Sequence, residues 1–230
     1  MKSMNAYREH FPIFKNTVYI NSCSYAALSV EVEAAFLKYL KDRHEVGADW
    51  IEWCDRLERV RALFAELLNA NADEMAVTTS ASASLSAISS SLDLTGKRKK
   101  IVTTDLAFPT EAHAWHALKK HGAEVVHVKE TDGMIDLDDL EKIVDENTLL
   151  VAVPLVCYRN GALADIPAIR DVARENGAMI LVDAYQGVGA VPIDVKEWDV
   201  DFIVGGSLKY LLSTAGVGFL YVRNDLISKS

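Results

Sequence analysis

From Met75 onward, short runs rich in Val, Ile and Leu alternate with longer segments of helical period, and few architectures accept that alternation. Crossover units fit it: parallel strands lie side by side and the intervening helices cover the sheet faces. The expected strands are Met75 to Thr78, Lys100 to Thr104, Glu124 to Val128, Leu149 to Val153, Ala178 to Val182, Asp201 to Val204 and Gly218 to Val222. Helices are expected near Ser82 to Leu92, Thr110 to His121, Leu137 to Asp145 and Ile166 to Asn176, after two long ones at Val30 to Arg43 and Trp50 to Leu68. No obvious helix joins the last two strands, so one of them is expected to run antiparallel. The fold class is therefore α/β, a mainly parallel sheet flanked by helices. No linker divides the chain. Residues 1–70 read as an N-terminal segment whose helices pack on a ligand-binding domain at 71–230.

Composition narrows the function classes. With 230 residues, half of them hydrophobic and a quarter charged, the chain can bury a core without disulfide or metal, and it lacks the polar bias of disorder. A formal net charge of -9 repels phosphate backbones. The single basic run, Lys97 to Lys100, reads as a solvated turn, so no nucleic-acid partner is expected. The longest nearly apolar run, Leu149 to Tyr158, is about half of what a membrane helix needs. Cys23, Cys54 and Cys157 form no CxxC pair, which gives no sign of a zinc knuckle or a disulfide framework. They read as buried or incidental thiols of a reducing, cytoplasmic protein, and the first fifteen residues lack the apolar stretch of a secretory signal.

Open sheets of this kind bind ligands at the carboxyl ends of their strands, which directs attention to Thr79 to Ser82, Asp105 to Thr110, Pro154 to Arg159, Asp183 to Gln186 and Gly205 to Lys209. Asp183, emerging from an apolar strand, serves either to tie down its loop or to meet a cation. Lys209 is either a solvated loop lysine or a buried amine. As a pair they have a definite use. A lysine that attacks a carbonyl must lose its proton, which burial promotes, and a pyridine ring acting as electron sink needs an acid beside its nitrogen. The hydroxyls and amides of Thr79 to Ser82, opening a helix, suit a phosphate as well as an N-cap.

These motifs resemble the class V aminotransferase family of fold type I pyridoxal-phosphate enzymes, which includes cysteine desulfurases, selenocysteine lyases and kynureninases. The likeness starts at Val18-Tyr19-Ile20-Asn21-Ser22, matching the family's opening strand. It continues through Arg56 to Phe64 and closes on Gly216 to Val222. It implies that Lys209 forms the imine link to pyridoxal 5'-phosphate and later shuttles protons, that Asp183 pairs with the ring nitrogen, and that Gln186 bonds the ring hydroxyl. Ser80, Ala81, Ser82 and Ser207 would hold the phosphate. Phe108 stands where desulfurases place a histidine on the ring, and Phe108-Pro109-Thr110 looks like the kynureninase version; an ordinary core phenylalanine is the alternative. Val156 to Gly161 and Trp198 to Phe202, ahead of Ser207 to Leu211, lean the same way, with an ordinary core aromatic as the alternative for Trp198.

Departures are equally specific. Leu208 replaces a polar residue beside the lysine, Ala81 replaces a frequent threonine, and Gln186 stands where kynureninases have histidine. Family members continue into a smaller C-terminal domain that carries the arginine for the substrate carboxylate and, in desulfurases, the catalytic cysteine, whereas this sequence stops at Ser230. The expectation is therefore the cofactor-binding large domain of an enzyme acting on an amino acid by carbon-sulfur or carbon-carbon cleavage or transamination, with a homodimer by analogy. Alternatives are a kynureninase-like hydrolase and a noncatalytic fragment that binds a partner. A nucleotide-binding domain is disfavoured, because no GxGxxG or P-loop follows the early strands.

Overall fold

The computed structural model describes residues 5–227. Residues 1–4 and 228–230, including the stop at Ser230 and the outer ends of both expected segments, lie outside the described residues. Helix α1 (Asn5–Arg8) precedes the two long helices α2 (Val30–Glu45) and α3 (Trp50–Leu68). Strand β1 (Met75–Thr78) leads into α4 (Ala81–Ser91), then β2 (Lys100–Thr104) into α5 (Pro109–Ala117) and β3 (Glu124–Val128). A short hairpin, β4 (Glu130–Thr131) and β5 (Met134–Ile135), is followed by α6 (Leu137–Ile143), β6 (Thr148–Pro154), α7 (Ile166–Glu175) and β7 (Met179–Asp183). Next come α8 (Val195–Trp198), β8 (Phe202–Gly206), β9 (Gly218–Val222) and α9 (Asn224–Ile227).

Seven strands form one sheet in the order β1-β9-β8-β7-β6-β2-β3. Strand β9 pairs antiparallel with both β1 and β8, and the other pairings are parallel, as expected of a connection without a helix. Period-two alternation sends Val102, Val151, Val153, Ile180, Val182 and Ile203 to one face, where they pack with Phe64 and Leu68 of α3 and Ile169 of α7. Ile101, Leu150, Ala152, Leu181 and Val204 face the other way, onto Leu85 and Ile88 of α4 and Trp115 of α5. Both faces are covered, which is why these strands read as unbroken apolar runs.

Side chains fix where the helices start. Ser29, Asp49, Ser80, Asp136, Asp165 and Asp194 each accept a backbone N–H of the first turn that follows. For α4 this matters most, because Ser80 spends its hydroxyl on the Ala83 amide and so leaves the earlier amides turned outward.

Three expectations need correction. Val18 to Ser22 forms no strand, and Val18 and Ile20 are 86% and 87% exposed, so that segment finds no sheet edge to pair with. The helix expected at Thr110 to His121 is α-helical only to Ala117 and tightens into a 3-10 turn, Leu118–His121, ending at Gly122 with φ of 93°. The hairpin at 130–135 was not expected, although its Asp132-Gly133 turn, with both φ positive, is a recognisable signal. No helix among the described residues is long and apolar enough to cross a membrane.

Candidate active site

The carboxyl ends of β1, β2, β6, β7 and β8 surround a cavity of about 500 Å³, within the size range of small-molecule sites. Ser80, Ala81 and Ser82 line it from the start of α4; Leu106, Phe108 and Thr110 from the turn into α5; Pro154, Val156 and Tyr158 from the loop after β6. Asp183, Tyr185 and Gln186 follow β7, Leu208 and Lys209 follow β8, and Cys23 and Ser24 come from the N-terminal segment. Seven of the eight residues expected at the site thus converge here.

Asp183 is 8% exposed, and its Oδ1 accepts the Tyr185 amide at 2.9 Å. Burial pushes its carboxyl above the usual aspartate range, against the opposing pull of that amide and of Lys209. Lys209 shows the converse balance: burial lowers its proton affinity, while Asp183 and Cys23 partly restore it. Its Nζ lies 4.7 Å from the Tyr185 ring centre and 5.8 Å from that of Phe108, so two aromatic rings confine the amine. Phe108 meets Tyr158 edge to face, with centres 5.1 Å apart. It is a partly exposed cavity wall, not a core aromatic.

Two glycines make this closeness possible. A side-chain carbon at Gly206 would strike the Tyr185 ring at 2.5 Å, and one at Gly218 would lie 2.7 Å from the Ser80 carbonyl carbon. Strand β9 can therefore press against the turn that opens α4.

The structure corrects two expectations. Ser207 is buried, its hydroxyl donates to the Val217 carbonyl at 3.2 Å, and it does not line the cavity. The strand-end geometry turns it toward the loop before β9. Cys23 is not incidental: it is exposed and lines the cavity, and Gln186 Nε2 donates to its carbonyl at 3.0 Å, tying the N-terminal segment over the site. Cys54 is exposed and Cys157 buried. Sequence reasoning also passed over Tyr185, within the Asp183 to Gln186 motif, and Glu111, directly after Phe108-Pro109-Thr110.

The geometry has counterparts. The sequence pattern of the class-V aminotransferases matches residues 34–230. The chain belongs to the class-V aminotransferase family. Among relatives of this family, it is 40% identical to the uncharacterized aminotransferase YcbU of Bacillus subtilis (strain 168), covering 96% of this chain and 59% of that protein. It is 32% identical to a kynureninase of Geobacillus thermodenitrificans (strain NG80-2), covering 94% and 54% respectively. The apo cysteine desulfurase of Thermococcus onnurineus NA1 superposes with a TM-score of 0.88 at 26% identity, over 99% of this chain and 59% of that one. A mutant of C-DES with glycine covalently linked to its PLP cofactor superposes with a TM-score of 0.86 at 21% identity, over 96% and 60%, a likeness of fold. The class-V chain described here thus spans between half and three fifths of these proteins' lengths.

Proposed function

We propose that this chain binds pyridoxal 5'-phosphate through Lys209 and is the cofactor-bearing part of an enzyme acting on an amino acid. The observation that carries the reading is one cavity holding a lysine amine depleted of proton affinity, a buried carboxylate and the open first turn of a helix. The residues fit the group. The amides of Ala81 and Ser82 and the hydroxyl of Ser82 suit the phosphate at the positive end of α4, Asp183 suits the ring nitrogen, Gln186 the ring hydroxyl, and Phe108 one face of the ring. When bound, the cofactor supplies a carbonyl that captures amines and a ring that stores carbanion charge. This chain's residues would do the rest: Asp183 would keep the ring nitrogen protonated, Phe108 and Tyr158 would wall one side of the ring, and Lys209 would move the proton at the substrate's α-carbon. Residues 71–230 serve as the cofactor-binding domain, and from the segment before it α3 packs on the sheet through Phe64, Ala65 and Leu68.

The reaction class is carbon-sulfur or carbon-carbon cleavage, or transamination. A kynureninase-like hydrolysis is favoured by one specific observation: Phe108, and no histidine, stands at the cavity wall beside Lys209. A cytoplasmic setting is supported by three free thiols.

Borohydride reduction of the protein incubated with pyridoxal phosphate, followed by peptide mapping, is expected to place a pyridoxyl group on Lys209 alone. Label scattered over surface lysines, or absent, overturns the reading.

We also propose that two copies associate through α2. That helix has no buried residue, and Phe36 and Leu40, one turn apart, are about half exposed on one stripe. Phe36→Glu combined with Leu40→Glu is expected to lower the mass measured by light scattering. A wild-type monomer, or an associated species indifferent to both substitutions, rules this out.

A further inference from the structure

Glu111 is fully buried, at 0% exposed, and nothing proposed above uses it. It sits in the first turn of α5, three residues after Phe108, whose carbonyl accepts the Glu111 amide at 2.9 Å. Its Oε1 accepts from the Thr103 hydroxyl of β2 at 3.1 Å and, at a longer 3.4 Å, from the Trp115 indole. Its Oε2 has no hydrogen-bond partner among the described residues.

That asymmetry is informative. Full burial outweighs the donors from Trp115 and Thr103, which favour a carboxylate; in the neutral acid Oε1 keeps both donors as the carbonyl oxygen, which leaves Oε2 as the hydroxyl, and a buried O–H without an acceptor is costly. The elements around it bring few titratable groups. The α4 helix packed beside α5 contributes only Ala, Ser, Leu and Ile, β6 contributes no titratable side chain, and on β2 Thr103 is already a donor. On α5 itself, His116 is turned outward to stack on His127 of β3, which in turn faces Asp105. Asp183 lies on the same side of the sheet as Glu111: Thr103, which holds Glu111, stands two residues beyond Ile101 and Asp183 two residues beyond Leu181, on the sheet face that α5 covers, and Thr110, next to Glu111, lines the same cavity as Asp183 and Lys209.

We propose that Glu111 is a positioning residue: it offers the proton on Oε2 to the Asp183 carboxylate, directly or through one water, so that two acids hold a single proton beneath the cavity floor. The proposal rests on the reading of Asp183 as the partner of the cofactor's ring nitrogen. With Glu111 neutral, Asp183 carries one negative charge, matched to one positive charge on that ring, and is held in a fixed orientation. With both ionised, two like charges would share a dry site. Burial and the nearness of Asp183 push the Glu111 carboxyl up to about 8, in keeping with the geometry.

The first test needs no cofactor. Infrared difference spectra of the chain, taken from about pH 5 to about pH 9, are expected to show the carbonyl stretch of a protonated carboxylic acid persisting at neutral pH. The band should vanish in Glu111→Gln and titrate at lower pH in Asp183→Asn, where the like charge is gone. Absence of the band from folded wild type at neutral pH, or an unshifted titration in Asp183→Asn, overturns the proposal. If Glu111→Gln fails to fold, the Asp183→Asn arm decides alone. In the protein loaded with pyridoxal phosphate, wild type should show an inflection of cofactor absorbance within about one unit of pH 8 that Glu111→Gln lacks. An inflection common to both contradicts the role of Glu111. Loss of the Lys209 label in wild type would instead refute cofactor binding and leave the infrared result to stand separately.

Discussion

Asp183→Asn is expected to leave the fold intact and to lower turnover by the active enzyme by about 10²- to 10⁴-fold, the range typical of a removed proton-handling group. The fold should tolerate the change because the one hydrogen bond described for this side chain, from the Tyr185 amide to Oδ1, can be made by an amide oxygen in the same place. Catalysis should not tolerate it. An asparagine has no negative charge with which to keep a facing ring nitrogen protonated, so the ring stores carbanion charge poorly. Lys209 would change too. Asp183 is the first of the two groups that raise its proton affinity against burial, so the variant's lysine should be still less protonated when free. Cofactor capture should therefore survive while turnover fails. The check is kcat/KM for the best amino-acid substrate beside circular dichroism and the borohydride label. Unchanged turnover would reduce Asp183 to a carboxylate that ties down the loop at Tyr185.

What the sequence carried was set by local rules. The strands are apolar runs because both sheet faces are covered, and β1, β2, β3 and β9 fall on the residues expected. The residues that directly follow the strands could be named as lining the site because topology alone puts strand ends on one rim. Where the outcome hung on contacts between distant segments, sequence was silent. Val18 to Ser22 has strand-like composition and no partner strand. Cys23 reaches the cavity because distant residues hold its segment there: Gln186, 163 positions away, donates to its carbonyl, and the Ala26 amide donates to the Leu208 carbonyl. Ser207 faces Val217 instead of the cavity, a matter of which way one side chain turns after β8. Glu111, in turn, looks like an ordinary acid complementing the N-terminal end of α5, and only tertiary packing reveals it as buried.

That burial has a consequence for stability. Glu111→Gln is expected to grow more stable than wild type as pH rises from about 5 to about 8, by a few kcal/mol at the upper end. The sign follows from proton counting. The ordinary value for a glutamate is 4.5, and burial with Asp183 nearby raises Glu111 to about 8 in the folded chain. Below 4.5 both folded and unfolded states hold the proton, and Glu111 imposes no penalty. Between those values the unfolded chain has released the proton and the folded one retains it, so stability falls by up to about 1.4 kcal/mol per pH unit. Above the folded value both states are ionised and the loss stops growing. Glutamine occupies the same volume, can accept from Thr103 and Trp115 through its amide oxygen, and has no proton to release. Its curve should stay flat where wild type declines. Urea midpoints of both proteins at the two ends of this window decide it. Parallel decline of the two curves would mean that Glu111 is already ionised in the folded state, and that other groups account for the pH dependence.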